Sequence, residues 1–300
     1  MSFLNPINEP VLMYSSTDAN APKINYAARA AGDVKTVLKA CLVTGYGTKQ
    51  GAGWTMQNET DFASEFVSPS VVMSDYRFGI DDTSGDKTLW YYQYKNAKTS
   101  PSYNNPSKSF YAVDNTHANN GWRLLVTQRG IIFIELVYST AVNNLSARLT
   151  YFGSIKSAIN DSGGINIAFF NLGHSATISE PSYFFNSSYP HFKVETYTEF
   201  NVITATPFSS TYGATLKTGV SLVDITSQLY LCTSGAVFIG ELPGIFMKSV
   251  NDSTQMYGAS NSTFNNRPVL KVCLGYEDSR SSNLYAYGRV MLIYLDQWSY

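Results

Sequence analysis

Apolar positions recur along this chain with two periods, and the longer period is confined to one stretch. From Gly32 to Trp54 the chain reads GDVKTVLKACLVTGYGTKQGAGW, and Val34, Val37, Leu38, Cys41 and Leu42 fall at i, i+3, i+4, i+7 and i+8. That spacing draws one apolar stripe along an α-helix, expected over Asp33 to Thr44. Asp33 stands where an N-cap belongs, since its carboxylate can accept hydrogen bonds from the free amides of the first turn. Gly45 and Gly47 end the helix, because glycine enters left-handed backbone angles without a Cβ clash. Gly51, Ala52 and Gly53 then let the chain pass close to a neighbour before Trp54 buries its ring.

The second pattern is short runs of β-branched and aromatic residues between turn-rich segments. Between Gly121 and Tyr138, WRLLVTQ, Arg129-Gly130 and IIFIELVY predict a hairpin. Further strands are expected at Thr88 to Tyr94, Ala147 to Phe152, Gly164 to Asn171, Leu229 to Gly240, Pro268 to Tyr276 and Leu284 to Leu295. After Trp54 the chain reads as loop, anchored by Phe62, Phe66, Val71, Val72 and Met73. Residues 96–109, 173–192 and 250–266 read as loops by composition. Only 213–227 suggests a second, weaker helix. The predicted fold is mainly β, a β-sandwich or barrel-like body with one N-terminal amphipathic helix and long loops. Residues 1–31, broken by Pro6, Pro10 and Pro22, read as an extended arm that lies on a neighbouring subunit or on its own domain. Residues 32–172 and 173–300 form two β-rich parts, or one continuous domain.

Composition narrows the function. Twenty-one basic and 22 acidic residues leave a formal net charge of −1, which argues against a nucleic-acid-binding surface. Charged residues make up 14% of the chain, against roughly 25% in an ordinary soluble domain. Twenty-two Tyr and 17 Phe, with many Asn, Ser and Thr, take that place. Such a surface suits subunit contacts, where Tyr is enriched and Lys and Glu are depleted, or a sugar-binding face. MSFLNPINEP lacks the marks of a signal peptide, and no apolar run nears the roughly 20 residues that cross a bilayer. Synthesis in a cytosol, with no membrane partner, is expected. Cys41, Cys232 and Cys273 lack CxxC spacing and read as buried thiols.

No chemical motif stands out. Asp81, Asp82 and Asp86 could surround calcium, but their spacing misses the EF-hand, and a solvated turn is the expected reading. His117, His174 and His191 show no zinc spacing, and no G-x-S-x-G elbow accompanies them. Glu135 and Glu241 could form a glycosidase pair; a buried Glu135 satisfied by Arg129 or Arg148 is the simpler account. Gly45-Tyr46-Gly47 with Lys49 follows a helix, whereas a phosphate loop precedes one. Trp90-Tyr91-Tyr92-x-Tyr94 and Tyr183 to Tyr189 could stack on sugar rings, with Trp90 and Tyr189 the candidate glycan contacts. No catalytic residue, cofactor or metal is expected.

Ser16-Thr17-Asp18-Ala19-x-Ala21-Pro22, followed by VLKACLVTGYGTKQGAGW, resembles the start of a family of virion proteins from tailed bacteriophages and prophages. Trp122-Arg123, Tyr151-Phe152-Gly153 and Glu241-Leu242-Pro243-Gly244 continue the likeness, whereas the end, Asp296-Gln297-Trp298, departs from it. The resemblance implies a non-enzymatic structural component of the neck, tail or baseplate region, made in the host bacterial cytoplasm. Its expected partners are other virion proteins and further copies of itself. Recognition of a host surface glycan is the alternative, and polysaccharide degradation a weaker third.

Overall fold

The computed structural model describes residues 6–25, 30–74, 76–83, 88–95, 102–108, 121–139, 144–157, 167–172, 200–204, 226–233, 238–250, 259–273 and 288–300. The fold is mainly β. A central antiparallel sheet runs in the order β12 (Ile167–Leu172), β10 (Asn144–Ser154), β9 (Gly130–Ser139), β8 (Gly121–Val126) and β2 (Leu12–Ser15). Both of its faces are buried. Leu125, Ile132, Ile134, Leu136, Leu149 and Tyr151 enter one core, while Trp122, Leu124, Val126, Ile131, Phe133 and Phe152 enter the other. Successive residues of a strand face opposite sides, so a sheet covered on both sides needs apolar residues in both registers. This is why its strands read as unbroken apolar runs.

The first core is closed by a second sheet, ordered β13 (Phe200–Thr204), β14 (Thr226–Thr233), β15 (Phe238–Val250), β18 (Gly288–Tyr294), β17 (Arg267–Cys273) and β16 (Ala259–Phe264). β11 (Lys156–Ser157) also pairs with β15. Leu242, Ile245, Val269, Val272, Met291 and Ile293 fill this side. The second core is closed by α1 (Asp33–Lys39) and a third sheet. That sheet runs β3 (Thr55–Gln57), β4 (Ala63–Val67), β5 (Tyr76–Asp81), β6 (Thr88–Lys95) and β7 (Ser102–Lys108). Phe78 stacks on Phe152 with centroids 5.5 Å apart, joining the third sheet to the central one.

The N-terminal segment lies on its own chain. β1 (Asn8–Pro10) pairs with β19 (Gln297–Ser299), and β2 pairs with β8. Arg129, in the β8–β9 turn, forms an ion pair with Glu9 of β1 at 2.8 Å. The buried Tyr300 hydroxyl lies 2.6 Å from Thr127 Oγ1 in the same turn. Arg129 is therefore not the partner expected for Glu135. Register places Arg148 opposite Glu135 instead, and the Arg148 side chain lies outside the description.

Several strand expectations are corrected. Ser102–Lys108, expected as loop, is an edge strand carrying Pro106, a place where a missing amide disturbs no ladder. Leu229 to Gly240, expected as one run, divides into β14 and β15, which pair antiparallel. The Asn- and Ser-rich stretch before Asn266 contains β16. Asn265 and Asn266, at φ 50° and 58°, join it to β17 in a two-residue turn that asparagine tolerates. Of the expected anchors after Trp54, Phe66 and Met73 are buried, but Val71 is 87% exposed. Residues 173–192 and most of 213–227 lie outside the described residues.

Candidate functional site: the interlocked N-terminal turns

The helix differs from its expected form at both ends. Its N-cap is Gly32, at φ 86°, and Asp33 is the first helical residue. The Asp33 carboxylate accepts the Ala30 amide at 3.0 Å. The first-turn amide of Val34 donates instead to Asp82 Oδ2 at 2.9 Å. Asp82 is fully buried beneath the helix, so the stretch read as a solvated turn supplies a cap from 48 residues away. Asp81 accepts the Thr83 amide, and Asp86 lies outside the described residues. Among the described residues, no group of three or more His, Cys, Asp or Glu side chains is placed to hold a metal ion.

At the other end, α1 passes into a π-helical turn, Ala40–Thr44, closed by the Gly45 amide donating to the Ala40 carbonyl at 2.7 Å. The α-helix therefore stops five residues before the expected Thr44. A π-turn leaves the next carbonyls without helical partners. The returning strand takes them: Ala52 N–H donates to Cys41 O at 2.9 Å and Trp54 N–H to Leu42 O at 3.0 Å. A Cβ on Gly51 would overlap the Val43 carbonyl, which is why this backbone approach needs glycine. Leu38, Cys41 and Trp54 are buried, and Trp54 Nε1 donates to the Thr127 carbonyl at 3.2 Å. Burial, with a smaller push from the Asp18 charge, drives the Cys41 thiol far above its ordinary range, so it packs as a neutral group.

Between helix and returning strand, Tyr46 and Lys49 exchange both backbone hydrogen bonds at 2.9 Å, making a tight turn. This turn meets a second one, Ser15 to Ala21, in which the amides of Asp18 and Ala21 donate to the carbonyls of Ser15 and Asp18. Gly47 brings the two together, since a Cβ there would lie 2.7 Å from the Ala19 carbonyl. At the junction, Asp18 Oδ2 accepts from Ser15 N–H at 2.8 Å, Tyr46 Oη at 2.6 Å and Lys49 Nζ at 2.7 Å. Lys49 also donates to the Met13 carbonyl at 2.9 Å, and Tyr14 Oη to the Gln50 carbonyl at 2.7 Å. Trp122 completes the node. Its indole donates to Pro22 O at 3.1 Å, and its backbone exchanges bonds with Ser16.

Burial alone would raise the Asp18 carboxyl; its bonds to Lys49, Tyr46 and the Ser15 amide outweigh that and hold it below the ordinary range. Burial, reinforced by the bond to Asp18, keeps the Tyr46 phenol protonated far above its usual range. Burial also pushes Tyr14 up to about 12. The resulting node is an anion surrounded by donors, each committed to Asp18 or to a main-chain carbonyl. Its chemistry is that of a clamp.

The physical task of the clamp follows from the sheet. Ser16 N–H donates to the Trp122 carbonyl, so the alternation turns Met13 and Ser15 away from β8. Their outward groups would form a free edge. Lys49 takes the Met13 carbonyl, the Asp18 carboxylate takes the Ser15 amide, and the Ser15 carbonyl takes the Asp18 amide.

Among the described residues, the other candidates are not brought together. Trp90 stands on β6 in register with Asp81 and Pro106, while Tyr189 and the three histidines lie outside the described residues. Glu135 belongs to the helix-facing register of β9. Glu241 lies on β15, in the sheet across the opposite face, 3.3 Å from Lys156. Sequence reasoning missed Asp82 and the roles of Asp18, Tyr46 and Lys49. Only Ser-Thr-Asp as a turn former pointed that way.

No family model, no curated protein and no solved structure matches this chain. No helix among the described residues is long and apolar enough to cross a membrane.

Proposed function

We propose that this chain is a non-enzymatic structural component of a tailed-bacteriophage virion, made in the host cytoplasm and built into the neck, tail or baseplate region. Its work there is to present neutral, aromatic and Asn/Ser-rich surface to further copies and to other virion proteins. One observation supports this reading above others. The separate segments that carry the resemblance, Ser16 to Pro22, Gly45 to Trp54 and Trp122, fold into one node whose polar side chains hold main chain to main chain. A pattern of residues engaged in fixing backbone suits a protein whose product is a shape.

The test is to purify particles of the encoding phage, measure the protein's copy number by mass spectrometry and locate it by immunogold labelling. The expected result is a fixed copy number and labelling at one structural region. Absence from purified particles, with abundance in the lysate, would overturn the proposal.

A further inference from the structure

We propose that the open edge of β16 pairs antiparallel with β16 of a second copy of this chain, extending the second sheet across a twofold axis. Among the described residues, β16 pairs only with β17. The pairing is unbroken from Ala259↔Val272 to Phe264↔Arg267, without a bulge. Ser260, Asn261, Ser262 and Thr263 are all exposed, so both faces of the strand are open, and among the described residues its outer edge has no partner strand. Proteins commonly protect such edges with charge, proline, bulges or a covering segment. Ala259–Phe264 contains no charge and no proline.

The hairpin is held firmly at its turn end. Arg267 makes a bidentate ion pair with Asp296, at 2.8 and 2.7 Å, and its guanidinium lies 3.5 Å above the Tyr294 ring. Phe246, Phe264 and Tyr294 pack together with centroids 5.0 to 6.3 Å apart. An edge ordered in advance loses little conformational entropy on docking.

The neutrality of the strand selects a second copy as occupant. Centred on Asn261, whose backbone groups face away from β17, two strands set Asn261 against Asn261 of the partner subunit, Ser260 against Ser262 of the partner subunit and Ala259 against Thr263 of the partner subunit. No charges meet, and the Ser260–Ser262 pairs add cross-strand hydrogen bonds. Five residues a side bury less than the roughly 1,200 Å² of a stable interface, so the dimer is expected to be reversible and concentration-dependent. The inference rests on the edge geometry and does not depend on the virion reading.

The experiment is light scattering coupled to size exclusion on the full chain, over a concentration series reaching the solubility limit. The mass is expected to rise from 33.2 kDa toward twice that value. The double variant Asn261→Lys, Ser262→Lys is expected to stay at the monomer mass with an unchanged melting temperature. A parent chain that remains monomeric, or a dimer that survives the double substitution, overturns the inference. Should the variant fail to fold, hydrogen exchange of the 260–263 amides in the parent decides. Slowing with concentration supports the pairing, and no slowing overturns it.

Discussion

At the edge of the central sheet, β2 turns Met13 and Ser15 outward, and Lys49 and Asp18 occupy their backbone groups. At the edge of the second sheet, β16 turns outward an equally regular backbone from a strand that carries no charged residue of its own. Both are short antiparallel edge strands held to one neighbour. They differ in where their protection comes from. β2 is closed by Asp18 in the turn that follows it and by Lys49, 36 positions from Met13, which the π-turn and the Tyr46–Lys49 turn bring back and which also holds the Asp18 carboxylate. β16 is followed at once by its own hairpin partner, and nothing among the described residues returns to cover it. Edge protection here is a tertiary property, which the local composition of the strand does not reveal.

The strongest test of the closed edge is Gly45→Val. Gly45 sits at φ 79°, and a Cβ there would overlap the Lys49 carbonyl. The substitution combines a left-handed angle for a β-branched residue with a backbone clash, and is expected to cost about 4 kcal/mol or more. Thermal unfolding measures it; an unchanged melting temperature would discard the role given to this turn.

Asp18→Ala ranks next. It removes the acceptor shared by three donors, one of them charged, with an expected loss of about 2–3 kcal/mol. Amide exchange should locate the damage, with Ser15 losing protection while β16 is untouched. Equal loss at both edges would show that the clamp acts globally and that the comparison is wrong.

Acid should act through the same group. The folded Asp18 pKa lies below its ordinary value of 3.8, so its stabilisation is present above that value and is lost as pH falls through the folded one. Asp296, lowered chiefly by its bonds to Arg267, has the same sign. Glu9 has the opposite sign. Burial outweighs Arg129 and raises its pKa, so its contribution is favourable below its ordinary 4.5 and is lost as pH rises through the folded value. Asp18→Asn is expected to flatten the acid limb of the stability curve, measured by chemical denaturation at several pH values. A limb as steep as the parent's would remove Asp18 from this account.

Lys49→Met is expected to cost about 1 kcal/mol, since a partly exposed lysine gives up one ion pair and one bond to a carbonyl. The smallest effect belongs to the open edge. Asn261→Lys with Ser262→Lys should leave monomer stability within about 0.5 kcal/mol, as expected for solvent-facing positions. A larger loss would mean that β16 is covered within its own chain.

The apolar stripe Val34, Val37, Leu38, Cys41 and Leu42 was legible because helical spacing is written locally, and all five are buried. The hairpin around Arg129-Gly130 was legible for the same reason, since two β-branched runs flank a short turn. Asp82 was not legible, because its partner Val34 is close only once β5 lies under the helix. The Arg129–Glu9 pair was missed likewise: Glu135 is nearer in sequence, but β1 reaches Arg129 by pairing with β19. The Asn265-Asn266 turn carried a local signal that the surrounding Asn and Ser composition obscured.

By itself, then, the sequence determined the class of the elements whose apolar residues keep a clear period, the helix and strands such as β8 and β9, and the places where glycine must stand, but not polar strands such as β7 and β16. Those properties depend on neighbours along the chain. Only the tertiary structure decided which carboxylate caps the helix, which arginine meets which glutamate, and which sheet edge is closed. Each of those outcomes joins groups tens or hundreds of residues apart, and a charge or a free amide finds its partner only after the cores have set the sheets against one another.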